Sequence, residues 1–299
     1  SGTGPKAGGP HYLPRFSCER ALDGEGSSKR AAGKPVGAGD LAPLGLSRRA
    51  MDAALAGAAA WSDTPAAERA AVLESAAARL EDAAHDGEGF AALAARGPVG
   101  VGLAADYLRF HAIQAESELA APLSLPGPTG ERNELRYAPR GVIACLATAG
   151  VAPLVAQVGA ALAAGNGVIA WHKDDRLATR LATLLHEAGV PEKVLHAAPA
   201  CKDASVADVV ADPRVDAVAF AGEHGDAKAI TCVLANSEGP IRPLIPFAER
   251  VHAGGAPGCP HAGSAHYLSR FVLERALSVD TTASGGNTSL FPLDEAAGL

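Results

Sequence analysis

The side chains able to do covalent or metal chemistry in this protein are few and scattered. Cys18, Cys145, Cys201, Cys232 and Cys259 are odd in number and never stand in a C-x-x-C spacing. That pattern disfavours a disulfide framework or a zinc ribbon and fits a reducing compartment. Cys145 falls in an apolar run and reads as a small core residue, while Cys18 lies in a tail. His252, Cys259, His261 and His266 bring four N/S donors into a Gly/Pro-rich connector, but their spacing matches no closed zinc site, so no metal is assigned. Gly150, Gly159 and Gly165 do not form the G-x-G-x-x-G of a dinucleotide loop. The acids Asp174 and Asp175, and Glu131 and Glu134, read as cap and loop positions rather than a paired-carboxylate site.

The elements that must position these residues follow from composition and punctuation. With 26 Lys+Arg against 33 Asp+Glu, a formal charge of −7, the protein offers no electrostatic footprint for nucleic acid or an anionic membrane. It is 48% apolar but only 4% aromatic, so its core must be built largely from small side chains. Residues 141–171 carry no charge over a length that exceeds a membrane span. Their punctuation argues against one: a strand over 142–146, a turn at 148–150, Pro153 opening a helix over 154–164, a Gly-Asn-Gly stop at 165–167 and a strand over 168–171. The rhythm continues with a helix over 176–188, a strand over 193–197, a helix over 204–211 and a strand over 215–220. Such alternation predicts an α/β fold, a Rossmann-like doubly wound parallel sheet. N-terminal helices precede it, over 47–84 with a break at 62–65 where Thr64 is placed to cap and Pro65 opens the second helix, and over 103–119.

One internal comparison stands out. The segment from His11 to Leu22 (HYLPRFSCERAL) matches that from His266 to Leu277 (HYLSRFVLERAL) at nine of twelve positions, with a constant offset of 255. A single repeat at the two ends suggests the tail of one module followed by a second module that closes on a copy of that tail. The first ten residues have no initiator Met and no apolar h-region, so the sequence reads as cut from something longer.

Several segments carry a resemblance to one family. The opening SGTGPKAGGPHYL resembles the closing segment of the glutamate-semialdehyde (pyrroline-5-carboxylate) dehydrogenase domain of the bifunctional proline-utilisation flavoenzymes. WSDTPAAERAAVL from Trp61, LPGPTGERNELR from Leu125, RGVI from Arg140, AALAAGN from Ala160, LHEAGVP from Leu185 and ADPRVDAVAF from Ala211 resemble the front half of that domain. SVDTTASGGNTSL from Ser278 resembles the C-terminal motif of the whole enzyme. Their order matches long members in which a degenerate aldehyde-dehydrogenase-like domain follows the active one.

The resemblance allows the catalytic apparatus to be sought position by position. An aldehyde dehydrogenase needs a thiolate, a carboxylate to activate water, oxyanion donors and a site for NAD. The family's Pro-Trp-Asn-Phe-Pro turn falls on residues 148–153, which hold neither Trp nor Asn. Its ribose-binding Lys-Pro-Ala-Glu falls on Trp171-His172-Lys173-Asp174, preserving only the acid. Its Phe-Thr-Gly-Ser turn before the pyrophosphate helix becomes Phe220-Ala221-Gly222-Glu223, and Glu223 is expected to occupy the helix N–H groups and repel phosphate. Phe247 stands where the catalytic Glu would be, with Glu249 two positions late. Too few residues separate Arg250 from the second repeat to hold the family's catalytic domain and its Cys. The expectation is therefore an aldehyde-dehydrogenase-like fold without the catalytic domain, with no catalytic residue and no cofactor site. Asp174, Gly222 and Glu223 mark its degenerate positions.

The implied organisation is a tail of the preceding active domain over 1–24, a linker over 25–46, the degenerate Rossmann domain over 47–250, a flap or tail repeat over 251–277 and a C-terminal motif over 278–299. By resemblance the parent uses FAD and NAD in converting proline to glutamate in the cytoplasm. This fragment, itself inactive, would be a structural part covering its substrate-channelling cavity, with the active dehydrogenase domain of the same polypeptide as partner. Thr281, Thr282, Gly285, Gly286 and Asn287 are the expected docking residues. The rival expectation is a module that retains NAD.

Overall fold

The computed structural model describes residues 43–44, 48–84, 97–127, 130–148, 150–198, 200–247 and 266–280. A two-residue strand, β1 (Pro43–Leu44), precedes helices α1 (Arg48–Ser62), α2 (Ala66–Ala84) and α3 (Gly97–Gln114), the last running on into one π-helical turn at Ala115–Leu119. The break between α1 and α2 falls at Pro65, but Thr64 does not cap as expected. Its hydroxyl donates back to the Ala60 carbonyl at 3.5 Å, closing the preceding helix instead. The pair is fastened from elsewhere. Trp61 Nε1 donates to the Leu162 carbonyl at 2.9 Å and Arg69 Nε to the Ala163 carbonyl at 3.0 Å, while Arg69 Nη1 also donates to the Thr64 carbonyl. Leu162 and Ala163 sit at the C-terminal end of helix α4 (Val151–Ala163), where carbonyls lack intrahelical donors and a cation is favoured. The Trp and Arg side chains of the WSDTPAAER segment thus close the carboxyl end of a buried helix.

The central sheet has strand order β6-β5-β4-β8-β9, every neighbouring pair parallel, built from β4 (Val142–Ala147), β5 (Gly167–His172), β6 (Leu195–Ala197), β8 (Ala217–Ala221) and β9 (Leu244–Pro246). β4, β5 and β8 are buried at every position, which is why they appear in sequence as unbroken apolar runs. The crossover helices are α4, α5 (Asp175–Glu187), α6 (Val206–Ala211) and α7 (His224–Ala235). Pro153 lies at the third position of α4, where a missing N–H removes no intrahelical bond, so the helix begins earlier than the proline suggests. Residues 204–205, expected as helix, instead end strand β7 (Ala200–Ser205), which pairs antiparallel with β1.

The second sheet has no counterpart in the sequence expectation. β2 (Leu123–Leu125), β3 (Glu131–Pro139) and β10 (Val272–Asp280) form an antiparallel sheet in the order β10-β3-β2. β10 and β3 pair along nine residues, from Val272↔Pro139 to Asp280↔Glu131. Before β10 comes a 3-10 turn, Leu268–Phe271. Tyr267, Leu268 and Phe271 there are fully buried in the same core as α2, α3 and α4. The second copy of the repeat is therefore built into the domain. The first copy lies outside the described residues. No helix among the described residues is long and apolar enough to cross a membrane.

Candidate functional site

In the order β6-β5-β4-β8-β9 the backbone winds outward from β4 in both directions, so the crevice of a doubly wound sheet lies beyond the carboxyl ends of β4 and β8. The turn after β4 is pinned to the end of β8: Thr148 N donates to the Ala221 carbonyl at 2.8 Å and its hydroxyl to the same oxygen at 3.4 Å. A Cβ on Gly222 would collide with that hydroxyl and with the Phe220 ring, so the two loops touch across the crevice. Gly150, at φ 71°, opens α4 without a side-chain cap.

Asp174 caps α5, accepting from Arg176 N at 3.2 Å, and its carboxylate is engaged by the Arg176 guanidinium at 3.2 Å. That hydrogen-bonded cation holds its pKa below the usual carboxylate range. Trp171 is buried against the opposite sheet face with Met51, Ala54 and Val206, and its Nε1 has no hydrogen-bond partner among the described residues. His172 is buried, accepts at Nδ1 from Asp174 N at 3.0 Å, and is held neutral by burial, which lowers its pKa. Residues 171–174 are thus a strand end and a helix cap.

Glu223 behaves differently from the expectation. It is exposed, occupies the N-cap position of α7 at φ −74°, ψ 151°, and makes no capping bond, so its carboxylate does not occupy the helix N–H groups. Its charge is felt nonetheless: burial, and then repulsion from Glu223, raise the pKa of Asp226 in the first turn of the same helix. Two acids at this terminus disfavour a bound anion.

Phe247 follows β9, its N–H bonded to the Phe220 carbonyl at 2.8 Å. Its ring meets Tyr107 edge-on at 6.0 Å and Tyr267 at 6.4 Å. Behind them His111 stacks on Tyr267 at 5.8 Å and approaches Gln114 Oε1 through Nδ1 at 3.4 Å. Fully buried, His111 is driven down to a pKa of about 4 and is a neutral core histidine. Phe247 thus joins an aromatic cluster, a grouping the sequence hid because its members come from α3, the residue after β9 and the tail repeat.

Cys145 is fully buried in β4, where burial pushes its thiol pKa up, the opposite of an activated nucleophile. Cys232 is exposed on α7, and Cys201 lies in β7. Cys18, Cys259, His252 and His261 lie outside the described residues, as do Thr281, Thr282, Gly285, Gly286 and Asn287. Among the described residues no three His, Cys, Asp or Glu side chains converge as a metal site.

Fold and crevice define a Rossmann-like, doubly wound α/β unit extended by a small antiparallel sheet. The aldehyde dehydrogenase family model matches residues 29–240, and the chain belongs to that family. It is similar to the bifunctional protein PutA of Escherichia coli (strain K12), 34% identical over 169 residues, which is 56% of this chain and 11% of that protein. The Klebsiella aerogenes PutA is 30% identical over 188 residues, 58% of this chain and 13% of that protein. A solved proline utilization A structure with proline bound in remote sites is 37% identical at a TM-score of 0.61, covering 66% of this chain and 21% of that one. The Bdellovibrio bacteriovorus proline utilization A inactivated by N-propargylglycine is 25% identical at a TM-score of 0.60, covering 66% and 22%. The chain spans only about a tenth of the length of the curated relatives it matches. The resemblance read from the sequence, to the aldehyde-dehydrogenase part of proline-utilisation enzymes, is the one these matches return.

Proposed function

We propose that this protein is a non-catalytic, structural aldehyde-dehydrogenase-like domain of a proline-utilisation enzyme, and that it covers the cavity through which the intermediate passes to the active dehydrogenase domain of the same polypeptide. The observation that carries this reading is the contact between Phe247 and Tyr267. An apolar ring stands where the family places its water-activating carboxylate. From there the backbone reaches the tail repeat in the eighteen residues of 248–265, far fewer than a folded catalytic domain requires. The capping Asp174, the buried Trp171 and the pair Glu223 and Asp226 support the same reading. By this reading FAD and NAD belong to other domains of the polypeptide, which is cytoplasmic, and residues 278–299 complete the cover through Thr281, Thr282, Gly285, Gly286 and Asn287.

The test is a coupled assay of proline to glutamate on the full-length polypeptide and on one truncated before Ser278. The reading expects the truncated enzyme to show a lag and to release intermediate to a trapping reagent. No lag and an unchanged dehydrogenase rate would rule the cover out.

One observation favours a second reading, a module that retains NAD: the carboxylate of Glu223 leaves the first N–H groups of α7 without a side-chain cap. Calorimetric titration of the 299-residue protein with NAD separates the two, since saturable binding abolished by Gly222→Val supports retention and no heat of binding supports the structural role.

A further inference from the structure

The repeat that closes the domain sits in a well-defined dock. Tyr267, Leu268 and Phe271 are fully buried, with the Tyr267 ring against His111, Phe247 and Phe271. The Phe271 carbonyl accepts from Asn166 Nδ2 at 3.0 Å and the Arg270 carbonyl from Arg140 Nε at 2.7 Å. β10 then pairs with β3 through main-chain groups. The fully buried anchors Tyr267, Leu268 and Phe271 are repeated in the first copy as Tyr12, Leu13 and Phe16, while buried Val272 is not, and the contacts from Asn166 and Arg140 are to backbone carbonyls that any residue supplies.

The three differences are compatible with the dock. Pro14 replaces Ser269, whose hydroxyl donates within its own segment, to the His266 carbonyl. Ser17 and Cys18 replace Val272 and Leu273 with smaller side chains, which enter without overpacking but bury less apolar surface. Twenty residues, 23–42, join Leu22 to β1, a tether of up to roughly 70 Å. Tethering keeps the first copy at high effective concentration near the dock.

We propose that this dock is a two-ligand site, and that residues 11–22 of the same polypeptide are the alternative occupant, seated in the register of 266–277. The closing repeat is favoured at rest through Val272 and Leu273. Occupancy by the first copy releases the closing strand and everything after it.

The register provides the test. Leu273 lies opposite Ala138, so docking of the first copy places Cys18 there. Directly opposed residues of an antiparallel pair have Cα atoms about 4.5–5.5 Å apart, within disulfide reach. The 299-residue protein with Ala138→Cys is oxidised and mapped by mass spectrometry, alone and together with Ser17→Val and Val272→Ser, which reverse the apolar preference. The link between Cys18 and position 138 should rise about tenfold in the second variant. Arg136→Cys, opposite the Arg20 position, is the register control. Equal capture at 136 and 138, no rise on exchange, or a link found only between molecules overturns the proposal. Should the exchanged variant not fold, a synthetic peptide of residues 9–22 is titrated onto the Ala138→Cys and Arg136→Cys proteins. Capture at 138 alone upholds the proposal and equal or absent capture refutes it.

Discussion

Asn166 and Phe271, 105 residues apart, are joined by a hydrogen bond from Nδ2 to the Phe271 carbonyl at 3.0 Å. The rest of the Asn166 amide is equally engaged: Nδ2 donates to the Ala161 carbonyl at 3.1 Å, and Oδ1 accepts from Arg140 N at 2.7 Å and Gly141 N at 3.1 Å. Two donors on one side and two carbonyls on the other fix the orientation of the amide. One fully buried side chain therefore ties the end of α4, the entry to β4 and the closing repeat.

Asn166→Ala should lower the unfolding free energy by roughly 3 kcal/mol, because it strands several buried polar groups at once. Asn166→Asp should cost at least as much, since it removes both donors and sets a carboxylate against two carbonyls. Urea denaturation of the parent and the two variants measures both effects.

Two helix glycines should respond with opposite sign. A Cβ at Gly57 in α1 would run into the Lys193 carbonyl and the Val194 nitrogen, main-chain atoms that cannot rotate away. Gly57→Ala should destabilise by about 1–3 kcal/mol despite the better helix propensity. At Gly102 in α3 a Cβ meets nothing within 4 Å, so Gly102→Ala should stabilise by about 0.5–1 kcal/mol. Thermal melts of the two single variants would show whether the signs separate.

His111 predicts a specific acid sensitivity. Its pKa is about 4 when folded, against 6.5 for an ordinary imidazole, so the unfolded state binds the extra proton. The stability it confers is fully present above pH 6.5, falls as the pH drops, and is lost by about pH 4, a change of roughly 3 kcal/mol. His111→Phe should flatten the stability curve across this window. An unchanged slope would show that the acid sensitivity arises from carboxylates instead.

The cysteines should differ in reactivity under native conditions. Iodoacetamide should modify exposed Cys232 readily and buried Cys145 more slowly by roughly two orders of magnitude or more, until urea exposes it. Site-resolved mass spectrometry follows both rates in one sample.

The parallel layer was legible because its signals are local. β4 and β5 are continuous apolar runs, α5 carries its own cap at Asp174, and glycines close the helices. Residue identity placed Glu223 at the start of α7 but misjudged its carboxylate, since a cap position does not oblige its side chain to cap. The antiparallel sheet was not legible. The β10 sequence VLERALSVD and the β3 sequence ERNELRYAP are rich in Leu, Glu, Arg and Ala, which favour helix locally.

An alternating α/β core, membership in a family and the internal repeat could all be read from the residues alone, because each is written in neighbouring residues or in residue identity. The folded structure was needed to learn that two helix-prone segments pair as strands, that Phe247 meets Tyr267, and that Asn166 holds Phe271. Those outcomes depend on partners far apart in sequence, as between Val272 and its register mate Pro139. Nine residues of main-chain pairing and a shared buried core outweigh local propensity there.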